Sequence, residues 1–105
     1  MSARNQVVVT GRLLEVEALR YTPAGVPVLE FRLSHHSSQQ EVGFVRHVEC
    51  EIVCIFLGEQ AKTLAVLGSE VEIVVKGFLA ARSQRYKHSL VLHINDWKRV
   101  QASST

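Results

Sequence analysis

Cationic and flat side chains recur at four places along the chain, and they favour a non-covalent chemistry of phosphate neutralisation and base stacking. Arginine and lysine attract phosphate oxygens, and an aromatic ring stacks on an unpaired base with about 1–3 kcal/mol. The candidate contacts lie next to turns or at polar strand positions, and they are Arg20, Tyr21, Arg32, His36, Phe44, Arg46, His47, Arg82, Arg85, Tyr86, Lys87 and His88. The last five form the strongest group, because no acidic residue occurs between Ala80 and Ile94. This pattern predicts a surface for single-stranded nucleic acid.

Residues that could support catalysis or hold a metal ion occur, but only as incomplete sets. His35 and His36 are adjacent, and adjacent residues of a strand point to opposite faces, so they cannot bind one ion together. Cys50 and Cys54 lie too far apart along an extended strand for a disulfide, and no second ligand pair completes a zinc site. The sequence has no glycine-rich phosphate loop, HExxH sequence or Ser/His/Asp set. We therefore expect no enzyme, no metal and no cofactor, and two reduced cysteines in the core.

The composition is typical of one globular domain. The chain has 105 residues, 47% of them apolar, and a formal net charge of +2. Because this charge is too small to identify a polyanionic partner, the prediction depends on how the charges are distributed. The acidic residues are expected away from the cationic groups, at Glu15, Glu17, Glu59, Glu70 and Glu72. No signal peptide or membrane span is found, so residues 1–105 are expected to form a single cytoplasmic domain with a frayed tail at 101–105.

Alternating apolar residues predict five strands and one helix. The expected elements are strands at Gln6–Leu19, Val26–His35 and Phe44–Leu57, a helix at Gly58–Leu67, and strands at Glu70–Ala81 and Leu90–Val100. The polar segment Ser37–Gly43 is expected to be a loop, and the even positions of the third strand, including both cysteines, are expected to face the core. Gly11 and Gly77 fall inside strands, where a barrel needs bends or bulges.

Three strands, a short helix and two more strands follow one another in the order of a known barrel. An all-β, five-stranded Greek-key barrel with a short helix between strands 3 and 4 is the OB fold. Its binding face is built on the second and third strands and is flanked by the first and last hairpin loops, which is where the candidate contacts lie. A plain two-layer α+β sheet is the alternative architecture.

Particular stretches also resemble a known family. The run from Gly11 to Phe31, with its Leu-Arg-Tyr-Thr-Pro-Ala-Gly turn, resembles bacterial single-stranded-DNA-binding proteins. Within that superfamily the chain resembles the primosomal replication protein N (PriB) family. The shared features are the sequences Gly43-Phe44-Val45-Arg46, Gly77-Phe78 and Val91-Leu92-His93. The lack of a Gly/Pro/Gln-rich tail with an acidic tip favours this family over the general binding protein, which normally carries one.

The resemblance carries expectations about partners and sites. It implies a homodimer that binds single-stranded DNA and a restart helicase, PriA, at stalled replication forks. It also implies help in recruiting a loader protein, DnaT in some bacteria. The absence of a membrane span separately predicts no membrane partner. By position, the implied DNA contacts fall on Arg20, His36, Phe44, Arg46 and the last loop. Independently of the resemblance, Val7–Val9 form an apolar edge that favours pairing with a second copy, unless these valines simply belong to the core.

The sequence departs from the family pattern at three places. A family tryptophan on the third strand is Glu49 here, with Glu51 nearby, so a carboxylate that repels phosphate replaces a stacking ring. A family arginine is His36, a weaker cation near neutral pH, and the last loop is slightly shorter. The first change could cost on the order of 2–4 kcal/mol of binding. Our hypothesis is a weak DNA binder that depends more on the helicase contact; the rival is a protein-interaction module with little DNA binding.

Overall fold

A computed structural model of the chain describes residues 3–100 and shows a closed all-β barrel with one short helix. The elements are β1 (Val7–Leu14), β2 (Arg20–Tyr21), β3 (Pro27–Glu41), β4 (Phe44–Leu57), α1 (Gln60–Ala65), β5 (Glu72–Ala81) and β6 (Leu90–Arg99). The strands lie in the order β1-β5-β6-β4-β3-β2, and β1 also pairs with β3, which closes five of them into a barrel. Because α1 lies between the third and fourth barrel strands, the predicted OB fold is confirmed. The tail at 101–105 lies outside the described residues.

The core is built from one face of each barrel strand, as the alternation predicts. Leu29 and Leu33 on β3 are fully buried, whereas Glu30 between them faces outward. Ala61 and Leu64 of α1 join the same buried cluster. Removing these side chains from water stabilises the barrel by roughly 25 cal/mol per Å² of apolar surface. The outer face carries Glu30, Arg32 and His36 of β3, and on β4 it also carries the half-buried Val53 and Ile55.

The segment Ser37–Gly43 is mostly strand, so its prediction as a loop is wrong. β3 and β4 pair in continuous register up to Glu41 opposite Phe44, and only Val42 and Gly43 form the turn. Both turn residues have positive φ, 51° and 80°, the backbone that a two-residue type I′ hairpin turn requires. The segment is polar because it projects beyond the core, where strands need no apolar alternation. We call this projecting hairpin, residues 34–51, the arm.

The first predicted strand is also shorter in the structure. β1 ends at Leu14, and Glu15 has a positive φ of 46°. The chain then returns along β3, where Arg20 and Tyr21 form the two-residue strand β2. The helix is likewise shorter than predicted, and no helix among residues 3–100 is long and apolar enough to cross a membrane. The consequence is that Arg20 lies beside the outer face of β3.

The two cysteines lie in different environments, so the prediction that both are core residues is wrong for Cys50. Both are free thiols; Cys54 is buried, whereas Cys50 is exposed because it belongs to the arm rather than to the barrel. Burial raises the pKa of the Cys54 thiol to about 12. Only Cys50 therefore offers an accessible thiol near neutral pH.

A thiol-reactive maleimide is expected to label Cys50 and to spare Cys54 in the folded protein. The reason is that the Cys54 thiol is neither accessible nor ionised, and the thiolate is the reactive form. Mass spectrometry of intact protein should count one label on the folded chain and a second only after unfolding. In the control variant Cys50→Ser, rapid labelling of the folded chain would contradict this assignment.

Candidate nucleic-acid interface

The predicted contacts on β3 and β4 lie on two opposite faces of the hairpin. Directly opposed residues share a face, and successive residues alternate. By this register Arg32, His36 and His47 lie on the outer face of the sheet. Phe44 and Arg46 lie on the opposite face, which continues the inner surface of the barrel. A ligand lying flat on the outer face therefore reaches the first group and not the second.

Two loops converge on Glu30 at the centre of the outer face. Its side chain is only 15% exposed, and Oε1 lies 3.4 Å from Arg20 Nη2 and 3.7 Å from Arg82 Nη1. Arg20 comes from β2 and Arg82 from the start of the loop between β5 and β6. Glu30 thus holds the first turn and the last loop together as one cationic rim. The sequence alone does not reveal this role of Glu30, because the meeting of the first turn and the last loop depends on tertiary structure.

Acidic side chains pair with three of the four predicted cations on β3 and β4, and the fourth, His47, contacts the Ser38 hydroxyl instead. The closest contacts are 3.3 Å between Arg32 and Glu15, 3.4 Å between Arg32 and Glu51, 3.8 Å between His36 and Glu49, and 3.1 Å between Arg46 and Glu41. The expectation that Glu15 lies away from the cations is wrong, because β1 pairs with β3 at Leu14 opposite Arg32 and brings the next residue to that arginine. Exposed pairs of this kind contribute little stability. They do lower the positive potential that a phosphate meets.

The β5–β6 loop, residues 82–89, keeps most of its charge unpaired. Arg85, Lys87 and His88 form no ion pair with any residue among 3–100. The Arg85 guanidinium lies 5.6 Å from the centroid of the Tyr86 ring, within cation–π range. Two backbone hydrogen bonds fix the loop. Arg82 N–H donates to Ser89 O at 2.8 Å, and Ser89 N–H donates to Tyr86 O at 3.1 Å. The loop lies where the sequence predicts it and presents cations and a ring together.

Charge is divided unequally between the two hairpins. Residues 73–95, from β5 into β6, carry four cations and no acid, a formal charge of +4. The four cations are Lys76, Arg82, Arg85 and Lys87. The arm carries one arginine against three glutamates, a formal charge of −2. Since the whole chain carries +2, the β5–β6 hairpin accounts for all of the net positive charge, and long-range attraction of a polyanion is centred there.

The exposed rings are distributed over three separate places. Tyr21 on β2, Phe44 on the arm and Tyr86 in the last loop are each more than half exposed. Trp97 packs against the core instead of lying free on the surface. Sequence reasoning did not single out Phe78 as a contact, although its ring is partly exposed on the outer face of β5. The position of Phe78 directly after Gly77 could have indicated this, because strand alternation there turns the phenyl ring away from the core.

His35 and His36 point to opposite faces of the arm, as the strand period predicts. The His35 Nδ1–H donates to the carbonyl oxygen of Thr10 at 2.7 Å, and Nε2 lies 2.8 Å from the Ser37 hydroxyl. His36 is exposed on the other face beside Glu49. No group of three or more metal-ligating side chains occurs among residues 3–100. His35 therefore attaches the base of the arm to β1, and His36 is available to a ligand.

Comparison with known proteins identifies the family. A family model described as "Another single-strand binding protein family" matches residues 5–96. Replication restart protein PriB of Nitrosomonas europaea is 41% identical over 93 residues, 89% of this chain and 85% of that protein. A solved structure of priB from Ralstonia solanacearum has a TM-score of 0.83 and 32% identity, and covers 94% of this chain and 100% of that one. The wild-type single-stranded DNA binding protein from Thermus aquaticus has a TM-score of 0.73 at 25% identity, covering 93% and 50%. This chain belongs to the PriB family of replication restart proteins, within the single-strand-binding-protein superfamily.

Proposed function

We propose that this protein is a non-catalytic accessory factor of the replication-restart primosome that binds single-stranded DNA in the bacterial cytoplasm. The observation that carries the proposal is the acid-free segment 73–95 of the β5–β6 hairpin, with its formal charge of +4 and its exposed Tyr86. Membership of a family of single-strand-binding and replication restart proteins supports it. In this proposal the loop cations neutralise phosphates and the ring stacks on a base.

The twelve residues predicted from the sequence divide into two groups in this proposal. Arg82, Arg85, Tyr86, Lys87 and His88 on the last loop supply most of the affinity. The remaining seven lie on β2, β3 and β4 and give weaker contacts, because most of the cations among them are paired with acids. These seven are Arg20, Tyr21, Arg32, His36, Phe44, Arg46 and His47. The division agrees with the hypothesis of a weak DNA binder.

A labelled thymine oligonucleotide should bind at least tenfold more tightly than a duplex of the same length. Stacking requires unpaired bases, and each stacked base contributes about 1–3 kcal/mol that a duplex cannot provide. Fluorescence anisotropy at one fixed low salt concentration measures both affinities. Equal affinity for the two forms would show that only phosphates are bound and would reject the single-strand assignment.

The arm supports a second contact, with the restart helicase PriA. Its tip exposes Val42, Phe44 and Val45, with Val42 90% exposed, on a stem of formal charge −2. This combination suits a basic protein surface with an apolar pocket better than it suits DNA. In this proposal PriA binding reloads replication at stalled forks, together with a DnaT-type loader where one exists. Val42→Ser is expected to weaken PriA binding in a pull-down and to leave DNA affinity unchanged; equal PriA binding would reject this contact.

The paired cations of β3 and β4 also favour a second candidate function, a protein-interaction module that acts mainly on the helicase. Arg32 and His36 on the outer face each contact at least one glutamate, so the face between the loops is largely neutralised. The two candidates differ in their salt dependence, because only phosphate contacts release counterions. An affinity for single-stranded DNA that does not change with salt concentration would favour the interaction module.

We further propose that the protein is a homodimer. β1 pairs with β5 through Val7–Arg12 and with β3 only from Arg12 onward, so the N-terminal half of β1 has one edge without a strand partner among residues 3–100. Val8 is 62% exposed, whereas Val7 and Val9 pack against the core. Val7 and Val9 therefore belong to the core, and Val8 is the valine that remains available for pairing with a second copy. Size-exclusion chromatography with light scattering should give twice the chain mass, and a monomer would reject the proposal.

A further inference from the structure

We propose that the paired rings of Phe78 and His93 form a base-stacking site, so that a bound single strand follows the outer face of the β5–β6 hairpin. This inference rests on the proposed DNA binding and specifies where the bases lie. It assigns a contact to two residues that the pattern of cations and exposed rings did not select. The β5–β6 hairpin then supplies a stacking surface, whereas the arm has Glu49 at the position of the family tryptophan.

The two rings form a flat stack across neighbouring strands. Phe78 on β5 lies directly opposite His93 on β6, their planes differ by 8°, and their centroids are 5.0 Å apart. Phe78 is 37% exposed, although it lies within a barrel strand, because the alternation directs the buried Gly77 inward and Phe78 outward. His93 covers one side of the phenyl ring. The side turned away from His93 can extend the stack by one base.

The electrostatic surroundings of this stack suit a phosphodiester. Phe78 lies within the acid-free segment 73–95, and Arg82 follows four residues later, about 13 Å along the strand and at the same strand phase. A base on Phe78 would therefore place the strand's phosphates near cations of the loop. The exposed ring of the arm lies in different surroundings, since Phe44 is paired directly with Glu41 across the strands. Of the two rings, Phe78 is the better placed for a polyanion.

A purely structural role for the pair makes a different prediction. Cross-strand ring pairs stabilise a sheet whether or not a ligand is present. If that were their only role, replacing Phe78 would change thermal stability and would leave DNA affinity unchanged. Base stacking instead predicts that replacing Phe78 lowers DNA affinity and that a larger aromatic ring at this position restores it. The two roles are therefore separable by measuring both quantities on the same variants.

The test combines photochemical crosslinking with three variants. Unaltered protein is irradiated with a thymine oligonucleotide carrying 5-iodouracil, and crosslinked peptides are mapped by mass spectrometry. Crosslinks are expected at Phe78 or His93 as well as in the loop. Phe78→Leu should weaken binding about fivefold, Phe78→Trp should restore it, and Phe44→Leu, the same change on the arm, should have a smaller effect.

The outcomes that overturn the inference are distinct from those that overturn the proposed function. DNA binding with crosslinks confined to the loop or the arm, and full affinity in Phe78→Leu, rejects the stacking site alone. A complete lack of binding by unaltered protein rejects both. Because crosslinking uses the unaltered chain, the test remains decisive if Phe78→Leu fails to fold.

Discussion

Replacing Arg85 and Lys87 together by glutamate is expected to lower the affinity for single-stranded DNA at least 100-fold at low salt. Both residues lie in the acid-free loop and form no ion pair among residues 3–100, so their full charge is available to phosphates. A charged hydrogen bond contributes about 1.5–3 kcal/mol, and the loss of two corresponds to roughly 100-fold or more. Fluorescence anisotropy with a labelled oligonucleotide measures the change. Arg82 is left in place because it contacts Glu30.

The matched control for this double variant is Lys98→Glu with Arg99→Glu. These two exposed cations lie on β6 beyond the acid-free segment, and the change in net charge is the same, from +2 to −2. If the loop is the site, the control should lose only a few-fold in affinity through the weaker overall field. Equal losses in the two variants would show that net charge alone attracts DNA and would contradict a localised site.

The second large effect is a gain: Glu49→Trp is expected to raise DNA affinity at least tenfold. Glu49 lies on the outer face of the arm with its side chain 80% exposed, and Oε1 is 3.8 Å from His36 Nδ1. The substitution removes a carboxylate that repels phosphate, frees His36, and adds a ring worth about 1–3 kcal/mol of stacking. The same anisotropy titration at fixed salt measures the gain.

Glu49→Gln separates the two components of this gain. It removes the charge and adds no ring, so a rise smaller than that of Glu49→Trp is expected. If Glu49→Trp leaves the affinity unchanged, Glu49 is not what makes the protein a weak binder, and that hypothesis is wrong.

The barrel was predictable because its core residues alternate with outward-facing ones. Leu29, Phe31 and Leu33 on β3 repeat with period two and are all buried. Gly77 marked a bulge, and the register shift between β5 and β6 lies at that residue. The arm was not predictable in this way, since Ser37–Gly43 has no core to face and therefore no apolar period. The polarity of this segment therefore suggested a loop, although the backbone continues as paired strands that are joined by a two-residue turn.

The candidate site was predictable in composition and not in geometry. The cationic residues could be selected from the sequence, and the acid-free loop is a local property that needs no tertiary information. Which acid pairs with which cation depends on long-range register, as in Glu15 with Arg32 and Glu30 with both Arg20 and Arg82. The pairing of β1 with β3 and the fold of the β5–β6 loop over β3 bring Glu15 and Arg82 to their partners, and neither is visible in a local stretch of sequence.

The most direct test of DNA binding through the β5–β6 hairpin is the affinity of the unaltered protein for a labelled single strand at about 50 and about 200 mM salt. Three loop cations on phosphates predict a slope of about −2 in log K against log salt, because single strands give about −0.7 per contact. The affinity should then fall roughly 20-fold between the two conditions. Binding that is undetectable at the lower salt concentration, or equal at both, would contradict the account.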